Sequence, residues 1–523
     1  MPPPELKSGL MANAPSDGSD SFDLVVIGGG PGGYVAAIRA AQLGKKVACV
    51  ERDKLGGVCL NWGCIPTKAL LAGAEMKSKL EHDGAAFGVT AEQIKVDWEK
   101  VIGRSRGVAG NLNKGVAFLF KKNKVTHVTG HASIPAAGRV DVHADAQAKD
   151  AGDAPQRTLT TEKILVCTGA QPRELPGVPF DGKRVLAAKD AMTLPERPDK
   201  MLIVGSGAIG MEFAYFYNAF GTEVTVVEML DRVMPVEDAE VSAAAKKAFE
   251  KQGIRVLLEH RTDSIEVGEH GITARLTKVN AEADAAHPAK KSYAAEGPEQ
   301  DKSDVQEAPG GETIEADCVL VAIGVRGRYD GLFDGSLGVE TFKDHIKVDY
   351  RRENPTYETS VPGVYAAGDV IGPPWLAHVA SEEAVVAVER MFGHDAEDID
   401  YEAIPGCTYC HPQVASIGYT TQRADEEGIA YRVGTFPFQA SGKAQAMGET
   451  TGFVKLLTGE KHGEILGAHM IGEGVTELLA EMALAIKMEA TADEVIGTIH
   501  AHPTMSEAVH EAALGTEGRM IHS

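Results

Sequence analysis

Cys59 and Cys64 lie in the stretch LGGVCLNWGCIPTKAL (Leu55 to Leu70), with four residues between them and a predicted helix following. A helix N-terminus stabilises a thiolate, so the pair suits a disulfide that is broken and remade in turnover. A zinc site needs two more ligands, and the only other close pair is Cys407 and Cys410. A structural staple over so short a loop would contribute little and would be reduced in a cytoplasm. On spacing alone all three uses stay open. Far along the chain, HAHPTMSEAVHEAA (His500 to Ala513) places His502 before Pro503 and Glu507 five residues on, at a predicted helix start. Histidine titrates near neutrality and suits the role of base for a thiol, while a carboxylate fixes its tautomer. His500 and His510 compete for that role, and a capped helix with surface histidines would read the same way.

The elements that must position these groups are repeated. DLVVIGGGPGGYVAAIRAAQLGKKVACVE (Asp23 to Glu51) reads as strand, glycine turn, amphipathic helix and strand, and MLIVGSGAIGMEFAYFYNAFGTEVTVVE (Met201 to Glu228) repeats the plan. Gly28, Gly30 and Gly33, and again Gly205, Gly207 and Gly210, fit G-x-G-x-x-G. Each first glycine lies 23 residues before a glutamate that closes the second strand. One such motif is weak; two, each with its strand, helix and acid, indicate two dinucleotide sites. The glycines permit the tight turn, the approach of a pyrophosphate and close helix packing, and the helix N-terminus faces the anion. Glu51 and Glu228 should each accept from a ribose diol. An acid at Glu228 suits the free 2′-hydroxyl of NAD and repels a 2′-phosphate. Two such sites suggest a bound flavin dinucleotide passing electrons to or from a diffusible nicotinamide.

At 523 residues the chain should hold about three or four domains. Its net charge of −23 argues against binding a nucleic-acid backbone, and no run of 18 apolar residues predicts a membrane span. Seven cysteines are few and odd in number, unlike a secreted disulfide scaffold. Residues 1–20 carry neither an apolar signal core nor the arginines of a transit peptide, and read as a disordered tail on a cytoplasmic protein. Val142 to Arg157 and Val279 to Gly311 read as surface insertions, the second as a long excursion of the second nucleotide domain. From about Asp398 the pattern turns to strands followed by helices, which suits a separate α+β domain.

The motifs GGGPGGYVAA, GGVCLNWGCIPTKAL, TGAQP, GSGAIGMEF, AAGDV, LAHVASEE and HAHPTMSE together resemble the flavin-dependent pyridine nucleotide–disulfide oxidoreductases, in particular the dihydrolipoamide dehydrogenases. The resemblance runs from about Phe22 to the C-terminus. It implies an α/β fold with two Rossmann-like dinucleotide-binding domains, for FAD and NAD, plus a C-terminal α+β dimerisation domain. The implied divisions are an FAD domain over 21–195, an NAD domain over 196–325, a central domain over 326–397 that completes the FAD site, and an interface domain over 398–523. It further implies an enzyme that reoxidises protein-bound dihydrolipoamide with reduction of NAD⁺ to NADH. Cys59 would meet substrate, Cys64 would face the flavin, His502 would be the base and Glu507 its partner. Lys68 and Glu212 would form an ion pair beside the flavin. FAD would be held by Gly28, Gly30, Gly33, Glu51, Lys54, Thr168, Gly169, Asp369, Ala377 and His378, and NAD by Gly205, Gly207, Gly210, Glu228 and Gly324. No metal is implied. Family members are homodimers whose active site is shared across subunits, and the lipoyl group would arrive on partners from 2-oxoacid dehydrogenase or glycine-cleavage complexes.

Some positions depart from the family. Trp62 stands where an aliphatic residue is usual, Trp375 where methionine is, and AIGVRGRYDGL lacks the common Arg-Arg-Pro-Asn. CTYCH (Cys407 to His411) matches a haem-attachment pattern but falls where an interface strand is expected, so strand cysteines are the reading. The alternatives kept are another disulfide reductase of the family, acting on glutathione-like or mercuric substrates, and a non-catalytic flavoprotein subunit of a multienzyme complex.

Overall fold

The structure is a computed structural model and describes residues 20–146, 153–279, 311–333 and 335–522. The expected tail, apart from Asp20, lies outside the described residues, as do 147–152 and 280–310 of the two expected insertions. The flanks of the longer one are paired antiparallel strands, Ile272–Lys278 and Glu312–Ala316, with Leu276 opposite Glu312. No described helix is long and apolar enough to cross a membrane. Packing divides the chain into two compact units: residues 1–55, 116–169 and 327–397, and residues 56–115, 170–326 and 398–523.

In the first unit the apolar strand Ser21–Ile27 pairs in parallel with Val47–Glu51 and with Arg157–Val166. Parallel neighbours require a crossover, which the helix Pro31–Gln42 supplies. The strand Arg157–Val166 divides its partners, antiparallel to Arg139–His143 at its start and parallel to Val364–Ala366 at its end. Segment 327–397 thus sends a strand into the sheet begun by the N-terminus. The crossover helix packs against Ala377–Met391 so closely that a Cβ on Gly32 would lie 3.1 Å from the Ala380 carbonyl oxygen.

In the second unit Arg255–Leu257, Glu223–Val227, Lys200–Val204, Cys318–Val321 and Val185–Leu186 form a parallel sheet in that order. The helix Ala208–Ala219 crosses between two of its strands and is buried from Gly210 to Tyr217, as its nearly continuous apolar sequence requires. The helix Cys64–Ser78 lays Leu70, Leu71 and Ala74 into the same core, beside Phe213, Phe216 and Phe220. Trp98 closes that core, its ring within 6 Å of Phe216, Tyr217 and Phe220. Residues from 406 onward build an antiparallel sheet in the order Gly406–Thr408, Gln413–Gly418, Ile465–Gly472, Phe453–Gly459 and Tyr431–Pro437. The helices Val475–Lys487 and Glu507–Thr516 bury Leu479, Met482, Val509 and Ala512 against it.

Candidate functional site

Cys59 lies in the short helix Gly57–Trp62, and Cys64 is the first residue of the fifteen-residue helix Cys64–Ser78. Gly56 has φ +90°, a left-handed turn that glycine adopts freely, and it starts the first of these helices. The two sulfurs are joined in a disulfide with Cα atoms 4.7 Å apart. No acidic residue stands in the first turn after Cys64, so the helix end offers its partial positive charge to that sulfur unopposed. The other five cysteines are unpaired.

One turn after Cys64, Lys68 donates to both oxygens of Glu212, at 2.8 and 2.9 Å. Glu212 is nearly buried on the helix that follows the second glycine turn. Tyr409 brackets this pair: its backbone N–H donates to Glu212 Oε1 at 2.9 Å and its ring lies 4.5 Å from the Lys68 ammonium. Tyr409 is not among the residues expected from the sequence, since the chemistry that CTYCH suggests lies in its cysteines. Strand alternation from Cys407 was the available signal, since it puts 407 and 409 on one face and 410 on the other. Cys407 is partly buried in the strand Gly406–Thr408, as expected; Cys410 is fully buried but lies in the bend after that strand, where it donates to the Pro412 carbonyl.

His502 is 78% exposed, and its Nδ1 is 2.8 Å from Glu507 Oε1. A carboxylate only accepts, so Nδ1 carries the proton and Nε2 presents a lone pair outward. Glu507 opens the helix Glu507–Thr516, and its second oxygen accepts from the Thr504 N–H at 2.9 Å. Burial pushes its carboxyl up, but the Thr504 N–H and the His502 ring outweigh that and hold it below the usual range. The competing histidines are otherwise engaged. His500 is 6% exposed with Nδ1 against the Thr498 carbonyl and Nε2 against Glu481, and His510 Nε2 faces the Ile496 carbonyl. Among the described residues no hydrogen bond or ion pair links His502 to the disulfide of its own chain.

The two glycine turns are built alike. Gly28 has φ +101° and Gly205 φ +102°; a Cβ on either would run into the carbonyl of Cys167 or of Ala322. A Cβ on Gly33 or Gly210 would overlap the carbonyl oxygen of Gly28 or Gly205, the close packing expected of the third glycine. Gly30 and Gly207 cap helices that have no acid in their first turn, leaving both N-termini open to an anion. Glu51 Oε2 accepts from the Gly29 N–H at 2.7 Å, and Glu228 Oε2 from the Ser206 N–H at 2.9 Å. Each acid also accepts from the N–H two residues on, of Asp53 and of Leu230. Each carboxylate is therefore fixed at its turn with lone pairs to spare for a diol.

The remaining expected FAD residues share the first unit with that turn. Thr168 and Gly169 follow the strand Arg157–Val166, and the Thr168 hydroxyl oxygen is buried with no hydrogen-bond partner among the described residues. Burial pushes the Asp369 carboxyl up to about 6. Ala377 and His378 open the helix Ala377–Met391, and Lys54 is exposed three residues after Glu51. Gly324, in the second unit with Gly205 and Glu228, has φ +108° and open space at its Cβ position. An uncrowded glycine turn, an orphaned hydroxyl and an acid at the strand end are what a dinucleotide needs, so the residues present fit FAD in the first cradle and NAD in the second. A cluster that sequence reading did not single out, His411, Glu449 and Glu473, brings possible ligand atoms within 4.8 Å of one another. Lys79 already places its ammonium 3.2 Å from Glu449 and 3.5 Å from Glu473, so the cluster holds a cation of its own.

Comparison with known proteins places these features in a family context. Residues 22–384 match the family described as pyridine nucleotide-disulphide oxidoreductase, and residues 404–513 match its dimerisation domain. The chain is similar to a dihydrolipoyl dehydrogenase of Rhizobium etli, 42% identical over 97% of this chain and 100% of the relative. It is also 42% identical to a dihydrolipoyl dehydrogenase of Chlorobaculum parvum, over 95% of this chain and 97% of that one. Among solved structures, LpdA from Mycobacterium tuberculosis superposes with a TM-score of 0.80 at 25% identity, covering 94% of this chain and 98% of that chain.

Proposed function

The chain belongs to the pyridine nucleotide–disulphide oxidoreductases, and from that membership we propose that it is an FAD- and NAD-dependent dihydrolipoyl dehydrogenase. It oxidises a protein-bound dihydrolipoyl dithiol to the cyclic disulfide. The observation that carries this reading is the Cys59–Cys64 disulfide at a helix N-terminus, in a chain that also holds two acid-closed dinucleotide cradles. When bound, FAD supplies a two-electron acceptor and NAD⁺ carries the hydride away as NADH.

The chain's own residues perform the thiol chemistry. Nε2 of His502 takes a proton from one substrate thiol, and Glu507 stabilises the imidazolium through Nδ1. The substrate thiolate attacks Cys59 Sγ, the Cys59–Cys64 bond breaks, and Cys64 leaves as a thiolate at its helix end. The second substrate thiol then attacks the mixed disulfide and closes the substrate ring, releasing Cys59. Lys68 and Glu212 neutralise one another and hold their place beside the pair. Glu228 selects NAD over NADP by accepting from the free 2′-hydroxyl.

We further propose a homodimer in which His502 and Glu507 serve the partner's disulfide. The match to a dimerisation domain and the exposure of His502 on its own chain support this. The lipoyl group would come on a partner protein of a 2-oxoacid dehydrogenase or glycine-cleavage complex. We also propose the four-domain division at 195, 325 and 397 as the family organisation within the two compact units, and five unpaired cysteines support a reducing compartment, the cytoplasm. The test is NAD⁺ reduction by dihydrolipoamide with the purified protein. NADH should form with the native enzyme and not with Cys64→Ser. NADPH-driven glutathione reduction in its place would sink the reading.

A further inference from the structure

The short helix that carries Cys59 ends on an indole that two cations approach. Trp62 is three residues after Cys59 and two before Cys64. The Arg106 guanidinium lies 4.9 Å from its ring centroid and the Lys189 ammonium 4.5 Å, both within reach of the negative face of the ring. Arg106 comes from the helix Trp98–Asn123 and also donates to the Asn61 carbonyl at 2.7 Å, which ties the guanidinium to the end of the Cys59 helix. Lys189 is an exposed residue of the short helix Ala188–Ala191. Only Gly63 separates Trp62 from Cys64, so their Cα atoms lie within about 7 Å of one another, and Trp62 is three residues from Cys59 on one helix, the spacing that puts two side chains side by side. Lys68, one turn after Cys64, is a further cation, and Glu212 already neutralises it. An aliphatic residue at 62 would leave Lys189 free to extend into water and would take the ring face from Arg106, whose guanidinium would keep only its edge contacts to the Asn61 carbonyl and the Met192 sulfur.

We propose that Trp62 is a positioning residue that seats Arg106 and Lys189 beside the Cys59–Cys64 pair and so favours its reduced form. The proposal rests on the reading that this pair cycles. A substrate dithiol gives up two electrons and two protons as its sulfurs join. The Cys59–Cys64 bond takes both electrons; one sulfur keeps a proton, the other stays a thiolate, and the second proton rests on His502. Fixed positive charge stabilises that thiolate and does nothing comparable for the neutral disulfide, so it raises the reduction potential.

The experiment equilibrates the holoenzyme with graded ratios of reduced to oxidised dithiothreitol, quenches with acid, alkylates, and counts free Cys59 and Cys64 by mass spectrometry. Trp62→Leu should need about a tenfold higher ratio for half reduction, a potential lower by about 30 mV for a two-electron couple. Lys189→Gln, a surface change that leaves the core untouched, should shift the midpoint the same way by about threefold, while Trp62→Phe, which keeps a π face, should stay within about threefold of the native protein. A native midpoint in either Trp62→Leu or Lys189→Gln overturns the proposal. A native protein whose pair stays oxidised at every ratio refutes the cycling itself, and the proposal falls with it.

Discussion

Lys455→Met should loosen the sheet that seats the Glu507 helix. Lys455 is wholly buried, and its ammonium lies 2.9 Å from Asp238, also wholly buried, and 3.0 Å from Glu240. Its strand neighbours Val454 and Leu456 point the other way, into the cluster with Ala508, Val509 and Ala512. One face of the sheet is thus pinned to the residues that open the helix Ala239–Lys251, and the opposite face carries the helix of Glu507. Removing one partner of a buried ion pair costs about 3–5 kcal/mol. Asp238 keeps the Glu240 N–H, the Thr421 N–H and the Thr421 hydroxyl, and methionine keeps most of the lysine volume. The lower end, about 3 kcal/mol, therefore applies, which is on the order of a hundredfold in an opening equilibrium. Native-state hydrogen exchange of peptides spanning 453–459 and 465–472 reads that equilibrium directly. Adding Asp238→Asn, which removes the stranded charge and keeps the helix cap, should restore part of the protection. A loss of protection below about threefold in Lys455→Met would show that the buried pair does not hold the sheet in place.

His502→Gln should leave cofactor content unchanged while dihydrolipoamide turnover falls about 10²–10⁴-fold, and dye reduction by NADH, which bypasses the thiols, should persist. Mixing Cys59→Ser and His502→Gln subunits after dissociation should recover about a quarter of native activity if sites are shared across a two-fold dimer, whereas sites complete within one chain would recover none. Gly210→Ala should raise the KM for NAD⁺ with FAD retained, because its Cβ would overlap the Gly205 carbonyl; saturation curves decide it. Burial raises the Glu237 carboxyl from 4.5 to about 7. The native state then holds a proton that the unfolded chain releases, so this contribution is fully present below about pH 4.5 and is lost as pH rises through 7. Glu237→Gln should flatten that fall, worth up to roughly 3 kcal/mol, in denaturation midpoints measured across the interval.

Most of the candidate groups are legible because their signals are local in the chain. A glycine turn, its helix and the acid at the end of the next strand lie within about thirty residues, and backbone sterics at Gly28, Gly33, Gly205 and Gly210 leave few alternatives. Cys64 at a helix start and Glu507 five residues after His502 are likewise set by neighbours in sequence. That is why the α/β class and both cradles are legible in the chain, whereas the use of the Cys59 and Cys64 pair stays open on spacing alone and is implied only by the family resemblance.

Choosing among possibilities needed distant partners. His500, His502 and His510 are alike as letters; only packing against Glu481 and the Ile496 carbonyl removes two of them and leaves the 502 ring exposed. Tyr409 reaches Glu212 across 197 residues and Lys455 reaches Asp238 across 217, while Arg106 and Lys189 meet on Trp62 from separate helices. A side chain's nearest charges in space follow from how whole helices and sheets stack, and no spacing rule along the chain encodes that. The sequence by itself put forward the candidate groups and determined the turns that present them. The tertiary structure decided which charges surround them, because electrostatic neighbours are set by packing distance and not by order along the chain.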